Sequence, residues 1–392
     1  MKVAIYGGSF NPPHCGHVEA AHTIIEQLHP DKLLIIPASA PPHKELDPSS
    51  PTAGERLLLS QLAFAEIGEA EVSDIELQRE GKSYTADTID ILLEQYPDSE
   101  LILTMGTDML MSFEEWYRFR FLLEKTTLAV FVRNEGEEAQ VIEHAEYLRK
   151  EYGANVITLS HEPKPMKSTD IREILKRRMG ASYLPESVYS CIVEHGYYEA
   201  KPELYWLREK AYAMLKPNRV AHVAGCESEA VSLANRWGED PENAAEAGIL
   251  HDITKKLVLS DQLILCEKYG IMNDTVEMQN VKLLHAKTGA AVARDMFNIS
   301  DEVYNAIRWH TTGKTDMTLL EKIIYMADYI EPNRDFPGVD ELRALAYTDL
   351  DAAMLLGLEM SLEDIRSYGQ EPHTITVEAY EWYKQLIESR NL

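Results

Sequence analysis

Two histidines near the start of the chain lie in a glycine-rich segment that has the residue types needed to bind phosphate. The segment reads Gly7-Gly8-Ser9-Phe10-Asn11-Pro12-Pro13-His14-Cys15-Gly16-His17 and directly follows the apolar run 3–6. Glycines let backbone amides approach phosphate oxygens closely, and the N-terminus of a following helix adds a favourable dipole. Both imidazoles can donate to one anionic group. The pattern suits attack on the α-phosphate of ATP with pyrophosphate leaving, a reaction that depends on placement and charge neutralisation.

A second set of candidate residues lies in the C-terminal half. It comprises His222, the adjacent pair His251 and Asp252, then His285, His310 and Asp328. Imidazole and carboxylate together suit iron, manganese or zinc better than calcium or magnesium. Asp328 follows the apolar run 323–327, where an ionised carboxylate is costly unless a partner compensates it. The set predicts a metal site carried on helices, and His251 and Asp252 are expected to end the helix that contains 244–250.

The elements that position the first histidine pair alternate between strands and helices. Apolar runs predict strands at 2–6, 32–37, 71–75, 101–105, 128–132 and 155–159. Amphipathic stretches between them predict helices at 18–28, 53–67 and 84–95. This alternation indicates an α/β Rossmann-like unit with a mostly parallel sheet. Ligands of such sheets bind beyond the carboxyl ends of the strands, where the glycine turn lies.

After residue 203 the strand patterns stop and helical periodicities follow one another. Breaks fall near Pro217, Pro241, Gly270, Ser300 and Gly338. The second half is therefore predicted to be all-α, with the junction near residues 200–202. Because 392 residues exceed what one core usually accommodates, we expect two domains, 1–200 and 203–392.

The composition limits the kinds of molecule that the protein is expected to bind. The 38 basic and 65 acidic residues give a net charge of −27, which disfavours polymeric nucleic acid and anionic lipid but leaves small nucleotides open as ligands. The four cysteines have no close pairing, so neither disulfides nor a thiolate zinc site is indicated. We see no apolar stretch long enough to span a membrane and no room for a signal peptide before the first strand, so a cytoplasmic location is expected. The sequence leaves the oligomeric state open.

The first motif resembles the H-x-G-H motif of the nucleotidyltransferase superfamily. A second hallmark of that superfamily, S-[ST]-x-x-R at a helix start, is matched by Ser168-Thr169-Asp170-Ile171-Arg172. The resemblance implies that Ser168, Thr169 and Arg172 bind the β- and γ-phosphates. Pantetheine-phosphate adenylyltransferases typically have threonine where this chain has His14, which argues against that family.

Residues 1 to about 200 resemble bacterial nicotinate-nucleotide adenylyltransferases, through the segments 41–44 (Pro-Pro-His-Lys), 81–88, 106–108 and Trp116. The resemblance implies that Trp116 stacks on the pyridine ring and that Tyr84 and Thr85 receive the nicotinate carboxylate. It further implies nucleotide contacts by the turn and by several later residues: Gly7, Gly8, Ser9, Phe10, His43, Lys44, Gly106, Asp108 and Arg133, with Lys44 joining His14 and His17 in catalysis. The implied reaction transfers AMP from ATP to nicotinate mononucleotide with Mg²⁺. The family's usual Ile-Ser or Val-Ser before the late motif is Met166-Lys167 here.

The order His, His-Asp, Asp resembles the HD superfamily of metal-dependent phosphohydrolases. With His285 and His310 between the inner pair and the last aspartate, the pattern is similar to HD proteins that hold two metals, which clamp the reacting oxygens. Residues 203–390 resemble a subgroup associated with symmetrical hydrolysis of diadenosine tetraphosphate to two ADP, with Asp252 as a catalytic residue. The ligand types fit iron, manganese and zinc, with iron as the first choice, and the metal identity stays open.

Several readings stay open at this stage. The C-terminal half could act on another nucleotide, such as a deoxynucleotide or guanosine polyphosphate, or serve as a regulatory nucleotide sensor. The preference for nicotinate or nicotinamide mononucleotide and any coupling between the sites are not fixed by sequence. Four cations, Lys255, Lys256, Arg308 and Arg334, fit either substrate phosphates or solvated helix faces.

Overall fold

A computed structural model of the protein describes residues 1–40, 46–47, 50–79, 81–132, 135–161, 167–274 and 276–390. These residues form two compact units, Met1–Lys201 and Pro202–Leu392. No helix in the described ranges is both long and apolar enough to cross a membrane.

The first unit is built on a six-stranded sheet. Its strands are β1 (Lys2–Gly8), β2 (Lys32–Pro37), β3 (Ala70–Val72), β4 (Glu100–Gly106), β5 (Thr126–Val132) and β6 (Asn155–Ser160). Every neighbouring pair is parallel, and the order across the sheet is β3-β2-β1-β4-β5-β6. The central strands are continuous apolar runs, as in Leu33–Ile36 of β2, because both faces of a parallel sheet are covered by helices.

Helices connect and flank these strands. They are α1 (Cys15–Leu28), α2 (Ala53–Phe64), α3 (Thr85–Gln95), α4 (Thr107–Met111), α5 (Phe119–Lys125), α6 (Glu135–Tyr152), α7 (Ser168–Leu175) and α8 (Glu186–His195). Chain order runs outward from β1 in both directions, so the sheet has its topological switch point between β1 and β4. In an open α/β sheet this crevice, at the carboxyl ends of the strands, is where ligands bind.

Helices are the only regular secondary structure among the described residues of the second unit. Its helices are α9 (Leu204–Ala213), α10 (Val220–Trp237), α11 (Pro241–Leu250), α12 (Leu259–Lys268), α13 (Val281–Phe297), α14 (Asp301–Trp309), α15 (Leu319–Ile330), α16 (Val339–Ala346), α17 (Leu350–Ser367) and α18 (Thr374–Arg390). Capping side chains fix where several of these helices begin. Thr318 and Glu321 form a capping box at α15, and Ser300 accepts the Val303 N–H at α14.

The close packing of α10 on α11 depends on one glycine. A Cβ atom at Gly248 would lie 2.8 Å from Glu227 Cα, closer than such atoms approach. The absence of a side chain therefore lets the two helix backbones come together, and Ala244, Ala245 and Ala247 continue the same buried small-residue surface. This packing positions both His222, on α10, and His251, directly after α11.

The predicted fold, an α/β unit followed by an all-α unit, is confirmed, and each predicted strand is present. Several boundaries differ from the predicted ones by one to three residues, and two of these differences have a clear local cause. The third strand ends at Val72, because the chain turns at Asp74, whose carbonyl accepts the Leu77 N–H at 2.7 Å. Helix α1 begins three residues before the predicted 18, because the His17 N–H already donates to the His14 carbonyl at 2.8 Å and closes an earlier turn.

We expect Gly248→Ala to lower the free energy of unfolding of the second unit by about 1–3 kcal/mol, since the new methyl group must push α10 and α11 apart. Thermal denaturation followed by circular dichroism measures the change. Gly357→Ala in α17 is the control, because its Cβ would meet only ordinary contacts, 3.7 Å from Met326. If the two variants melt alike, backbone approach at Gly248 is not what holds the helices at their present spacing.

Candidate active sites

The first site lies at the switch point of the sheet. Gly7 and Gly8 end β1, and the chain then crosses the carboxyl edge to His14, the residue before α1. His14 and His17 face each other with ring centroids 3.7 Å apart. Gly16 leaves room beside them, because a Cβ there would lie 3.2 Å from the His14 ring and would press on it.

A backbone hydrogen bond fixes the tautomer of His17. The His14 N–H donates to His17 Nδ1 at 3.1 Å, so the ring proton of neutral His17 is on Nε2. Burial lowers the pKa of His14 to about 4, although Glu19 acts in the opposite direction. Burial and the neighbouring His14 lower the pKa of His17 well below its usual range. Both imidazoles are therefore neutral at pH 7, each with one N–H to donate.

The late motif contacts the same loop. Ser168 Oγ donates to the Pro12 carbonyl at 3.1 Å, and Arg172 Nη1 donates to the Asn11 carbonyl at 2.7 Å. Arg172 Nη2 lies 3.4 Å from Thr169 Oγ1, at the start of α7. Segments more than 150 residues apart thus meet at one loop, with two hydroxyls, a guanidinium and a helix N-terminus beside the histidine pair.

Arg56 on α2 is a functional candidate that sequence reasoning missed. Its side chain is 1% exposed, and its guanidinium donates to the carbonyls of Ser9 (2.8 Å), Ala38 (2.8 Å) and Ser39 (2.9 Å). These bonds tie the glycine turn to the segment after β2. In sequence Arg56 is an ordinary charge on an amphipathic helix, and only the tertiary contacts reveal its role.

A pocket of about 220 Å³ opens beside the glycine turn. Of the residues singled out by sequence, Gly7, Gly8, Ser9, Tyr84, Thr85 and Trp116 line it. Tyr84 and Thr85 stand at the N-terminus of α3, and half-buried Trp116 packs on Phe113 with ring centroids 5.2 Å apart. Tyr117, not predicted, also lines the pocket and packs against Tyr84 at 4.9 Å.

Three predicted nucleotide contacts are not among the pocket-lining residues. The Phe10 side chain is 1% exposed and packs edge-on against His17 at 5.1 Å, so it supports the imidazole from inside. Gly106 ends β4 and Asp108 lies exposed on α4, at the carboxyl edge of the strand next to β1. Of the other predicted contacts, His43, Lys44 and Arg133 lie outside the described residues.

In the second unit the predicted histidines and aspartates converge on one buried cluster. His222 comes from α10, His251 and Asp252 from the turn after α11, His285 from α13, His310 from the end of α14 and Asp328 from α15. All except Asp328 are at most 7% exposed. Two overlapping groups have ligand atoms within 4.8 Å of one another, His222 with His251 and Asp328, and His251 with Asp252 and His310.

Asp252 lies at the centre of the cluster with one oxygen toward each side. Its Oδ2 is 3.5 Å from His251 Nε2 and 3.9 Å from His222 Nε2. Its Oδ1 is 3.2 Å from His285 Nε2 and 3.8 Å from His310 Nε2. The carboxylate therefore bridges two pairs of imidazoles.

Hydrogen bonds at Nδ1 orient three of the rings. His251 Nδ1 donates to the Gly248 carbonyl at 2.8 Å, and His310 Nδ1 donates to the Ile307 carbonyl at 2.6 Å. His222 Nδ1 bonds Glu331 Oε1 at 3.0 Å. With Nδ1 engaged, each ring turns Nε2 toward the cluster, the arrangement that metal-binding histidines commonly adopt. Glu331 is the first residue after α15, and nothing in the sequence marked it as a partner of His222.

The cluster contains buried polar atoms that lack a hydrogen-bond partner among the described residues: His222 Nε2, His251 Nε2, Asp252 Oδ1 and His285 Nδ1. Leaving such atoms unpaired costs about 1–3 kcal/mol each. Burial raises the pKa of Asp252, but the His251 and His285 side chains outweigh burial and hold it well below its usual range. An ionised carboxylate beside four imidazoles, two of which have an unpartnered Nε2, fits a divalent transition metal.

A third group of possible ligands differs from the central cluster because its polar atoms are paired with one another. Asp274, Glu277 and His373 also bring three ligand atoms within 4.8 Å of one another. Here, however, Lys287 Nζ lies 2.6 Å from Glu277 Oε1, and His373 bonds Asp274 on one nitrogen and the Ile375 N–H on the other. The charges and hydrogen-bonding groups are satisfied internally, so this group is an ion-pair network.

Two cations border the central cluster. Arg219, which the sequence did not single out, contacts Asp252 Oδ2 at 2.5 Å, and Lys255 Nζ lies 2.9 Å from His285 Nε2 and 3.6 Å from Asp252 Oδ1. Their side chains are 26% and 33% exposed, so they face the open side of the cluster. Arg334 instead binds Asp328 at 2.7 Å, and Arg308 packs over Trp309.

Comparisons with known proteins place a family model on each unit. The Cytidylyltransferase-like family model matches residues 5–174, and the HD domain model matches residues 219–333. A probable nicotinate-nucleotide adenylyltransferase of Lachnoclostridium phytofermentans is 33% identical over 198 residues, which are 50% of this chain and 98% of the relative.

The second unit has its own relatives. A symmetrical bis(5'-nucleosyl)-tetraphosphatase of Bacillus subtilis is 40% identical over 182 residues, which are 45% of this chain and 96% of the relative. A solved structure from Clostridium acetobutylicum, described as a predicted HD superfamily hydrolase involved in NAD metabolism, is 36% identical. The match covers 47% of this chain and 99% of that one, with a TM-score of 0.46.

We expect His14 to titrate near pH 4, measured by NMR on its ring proton and assigned with His14→Gln. The unfolded chain, in which a histidine has a pKa of about 6.5, binds a proton that the folded chain rejects between pH 6.5 and 4. Folding stability should therefore fall as pH decreases through that window, and fall less in His14→Gln. A midpoint near 6.5 would mean that the ring is solvated and charged in acid, against this description of the site.

Proposed function

The first half of the chain belongs to the nicotinate-nucleotide adenylyltransferase family and the second half to the symmetrical bis(5'-nucleosyl)-tetraphosphatase family of HD-domain proteins, and on this premise we propose that one enzyme carries two activities. Residues 1–200 transfer AMP from ATP to nicotinate mononucleotide, giving deamido-NAD and pyrophosphate. Residues 203–392 hydrolyse diadenosine tetraphosphate to two ADP.

The meeting of the two motifs at one loop is the observation that carries the first activity. His14 and His17 lie at the N-terminus of α1. Ser168 and Arg172 bond backbone carbonyls of the loop before it, and Thr169 lies beside Arg172. A triphosphate placed between them receives neutral N–H donors on one side and hydroxyls with a guanidinium on the other. Mg²⁺ enters with ATP as part of the substrate. Positioning and charge stabilisation of this kind are the main requirements of phosphoryl and nucleotidyl transfer.

His17 acts at the α-phosphate in this proposal. Its Nδ1 accepts the His14 N–H, so its Nε2–H is the donor available to the oxygens that gain charge as pyrophosphate leaves. A neutral donor suits this position because it adds no cation that would have to be desolvated before ATP arrives. Arg56 keeps the turn in place through Ser9 without reaching the phosphates itself.

The pocket beside the turn would receive nicotinate mononucleotide. Trp116 offers a flat apolar face for the pyridine ring, and Tyr84 and Thr85 begin α3, whose N-terminal dipole favours an anion. A carboxylate gains from that dipole and a neutral carboxamide gains less. This arrangement supports nicotinate as the preferred substrate over nicotinamide.

For the second activity, the two-sided position of Asp252 supports a binuclear centre. His222, His251, Asp252 and Asp328 would hold one metal, and His285 and His310, with the other oxygen of Asp252, would hold the second. Two such metals supply an activated water and a clamp on the attacking and leaving oxygens. Iron suits the mixed imidazole and carboxylate set, with manganese and zinc as alternatives.

The chain's own residues would orient the polyphosphate. Arg219 and Lys255 lie at the open side of the cluster. There the two cationic side chains can exchange their ion pair with Asp252 for an ion pair with the substrate phosphates. Glu331, Gly248 and Ile307 hold the rings so that the Nε2 atoms stay directed inward. The acidic surface and the free cysteines support action in the cytoplasm.

His17→Ala should lower adenylyl transfer at least about 100-fold, since removing one charge-stabilising donor typically costs that much. Pyrophosphate release from ATP and nicotinate mononucleotide measures the rate, and circular dichroism checks the fold. His22→Ala is the matched control, because His22 lies exposed on the same helix. Wild-type turnover by the His17 variant would remove that imidazole from the mechanism.

Asp252→Ala should abolish hydrolysis of diadenosine tetraphosphate and reduce bound metal, because it removes the carboxylate shared by both histidine pairs. Metal content by mass spectrometry and ADP release measure the two effects, and adenylyl transfer by the same sample shows that the chain is intact. Asp274→Ala, from the internally paired third group, serves as the control and should retain metal. Full metal content and full hydrolysis in Asp252→Ala would contradict the proposed centre.

A further inference from the structure

A pocket in the C-terminal unit, separate from the one beside the glycine turn, is lined by four lysines. It has a volume of about 420 Å³, within the usual range of ligand sites, and its lining residues are Lys216, Lys255, Lys256, Leu257, Val258, Leu259, Val281 and Lys282. No aspartate or glutamate is among them. In a chain with 65 acidic and 38 basic residues, such a concentration of one sign requires an explanation.

Three of the four lysines of this pocket have no carboxylate partner within the described residues, and the fourth, Lys255, lies 3.6 Å from Asp252 Oδ1. Lys216, Lys256 and Lys282 are exposed, and none of them forms an ion pair within the described residues. Lys256 Nζ donates only to the Ala213 carbonyl, at 3.2 Å. Most other lysines of this unit contrast with them: Lys268, Lys287, Lys314 and Lys322 each contact a carboxylate within 3.0 Å.

Lys255 connects the pocket to the metal-ligand cluster. It lines the pocket, and its Nζ lies 2.9 Å from His285 Nε2 and 3.6 Å from Asp252 Oδ1. A phosphate group at His285 and Asp252 would therefore have its next phosphates beside Lys255. The other three lysines line the same pocket.

The pocket also offers apolar surface. Val258 is 60% exposed and Val281 is 36% exposed, and both line the pocket with Leu257 and Leu259. Exposed aliphatic side chains beside lysines suit a ligand that has a charged chain and a flat apolar group. A nucleoside attached to phosphates has both parts.

We propose that this lysine pocket binds the part of a dinucleoside polyphosphate that lies beyond the bond to be broken, namely the leaving phosphates and their nucleoside. The proposal rests on the hydrolase function proposed above and adds the specificity site for it. It explains how the unit selects long polyphosphates: a nucleoside monophosphate or small phosphodiester reaches the metal ligands but leaves the lysines without an anion.

The test is the double variant Lys216→Gln/Lys282→Gln in the full chain. We expect the KM for diadenosine tetraphosphate to rise about 10-fold with kcat nearly unchanged, since each exposed ammonium–phosphate pair contributes up to about 5-fold in affinity. The salt dependence of KM should become weaker, because fewer counterions are displaced. Hydrolysis of bis(p-nitrophenyl) phosphate, which is too small to reach the pocket, should not change.

Lys384→Gln, at an exposed position of α18, controls for loss of charge alone and should leave KM as in the wild type. An unchanged KM for the tetraphosphate in the double variant overturns the proposal, as does an equal loss on the small diester.

If the wild-type chain does not cleave diadenosine tetraphosphate, the proposed function fails, and the pocket is then tested by binding. Calorimetry with inorganic tripolyphosphate is done in a His17→Ala background, which weakens the first site. Weaker binding after the lysine substitutions supports an anion site, and equal binding refutes it.

Discussion

The burial of Asp252 is the constraint on which the second unit depends. This carboxylate is fully buried, and around it lie four imidazoles, of which His222 and His251 have an Nε2 without a hydrogen-bond partner among the described residues. Such an arrangement is costly by itself and becomes favourable once a cation compensates it. Five helices end at or pass this point, so the metal ligands also fix how the helices pack. The third histidine–carboxylate group of the unit, with Lys287 inside it, shows that residue types alone do not create the same demand.

The first unit handles anions by the opposite strategy. Its two imidazoles are neutral because burial disfavours their charged forms, and its buried guanidinium, Arg56, is directed at backbone carbonyls that shape the loop. Donors held by the backbone and one half-buried arginine, Arg172, would remain for the phosphates of the proposed substrate. On the proposed function, the first site would bind charge brought by its substrate, whereas the second site would need a resident cation before it could act.

Local pattern was sufficient to predict the elements of the fold. Continuous apolar runs predicted the six parallel strands. The position of Asp328 directly after an apolar helical run predicted that its carboxylate needs a partner. The pattern could not reveal Arg56, Arg219 or Glu331, because each acts through contacts formed only in the folded chain: Arg56 with carbonyls up to 47 residues away, Arg219 with Asp252 and Glu331 with His222. Phe10 was predicted to contact the nucleotide but packs inside the protein, since its side chain completes the apolar support of His17.

The metal content of the purified chain tests the central claim most directly. Inductively coupled plasma mass spectrometry, referred to an accurate protein concentration, should find about two divalent transition metals per chain. Their removal by a chelator should stop the hydrolase reaction and destabilise the helical unit, while the α/β unit keeps its melting behaviour. A folded chain that hydrolyses its substrate at full rate with no bound metal would contradict the account.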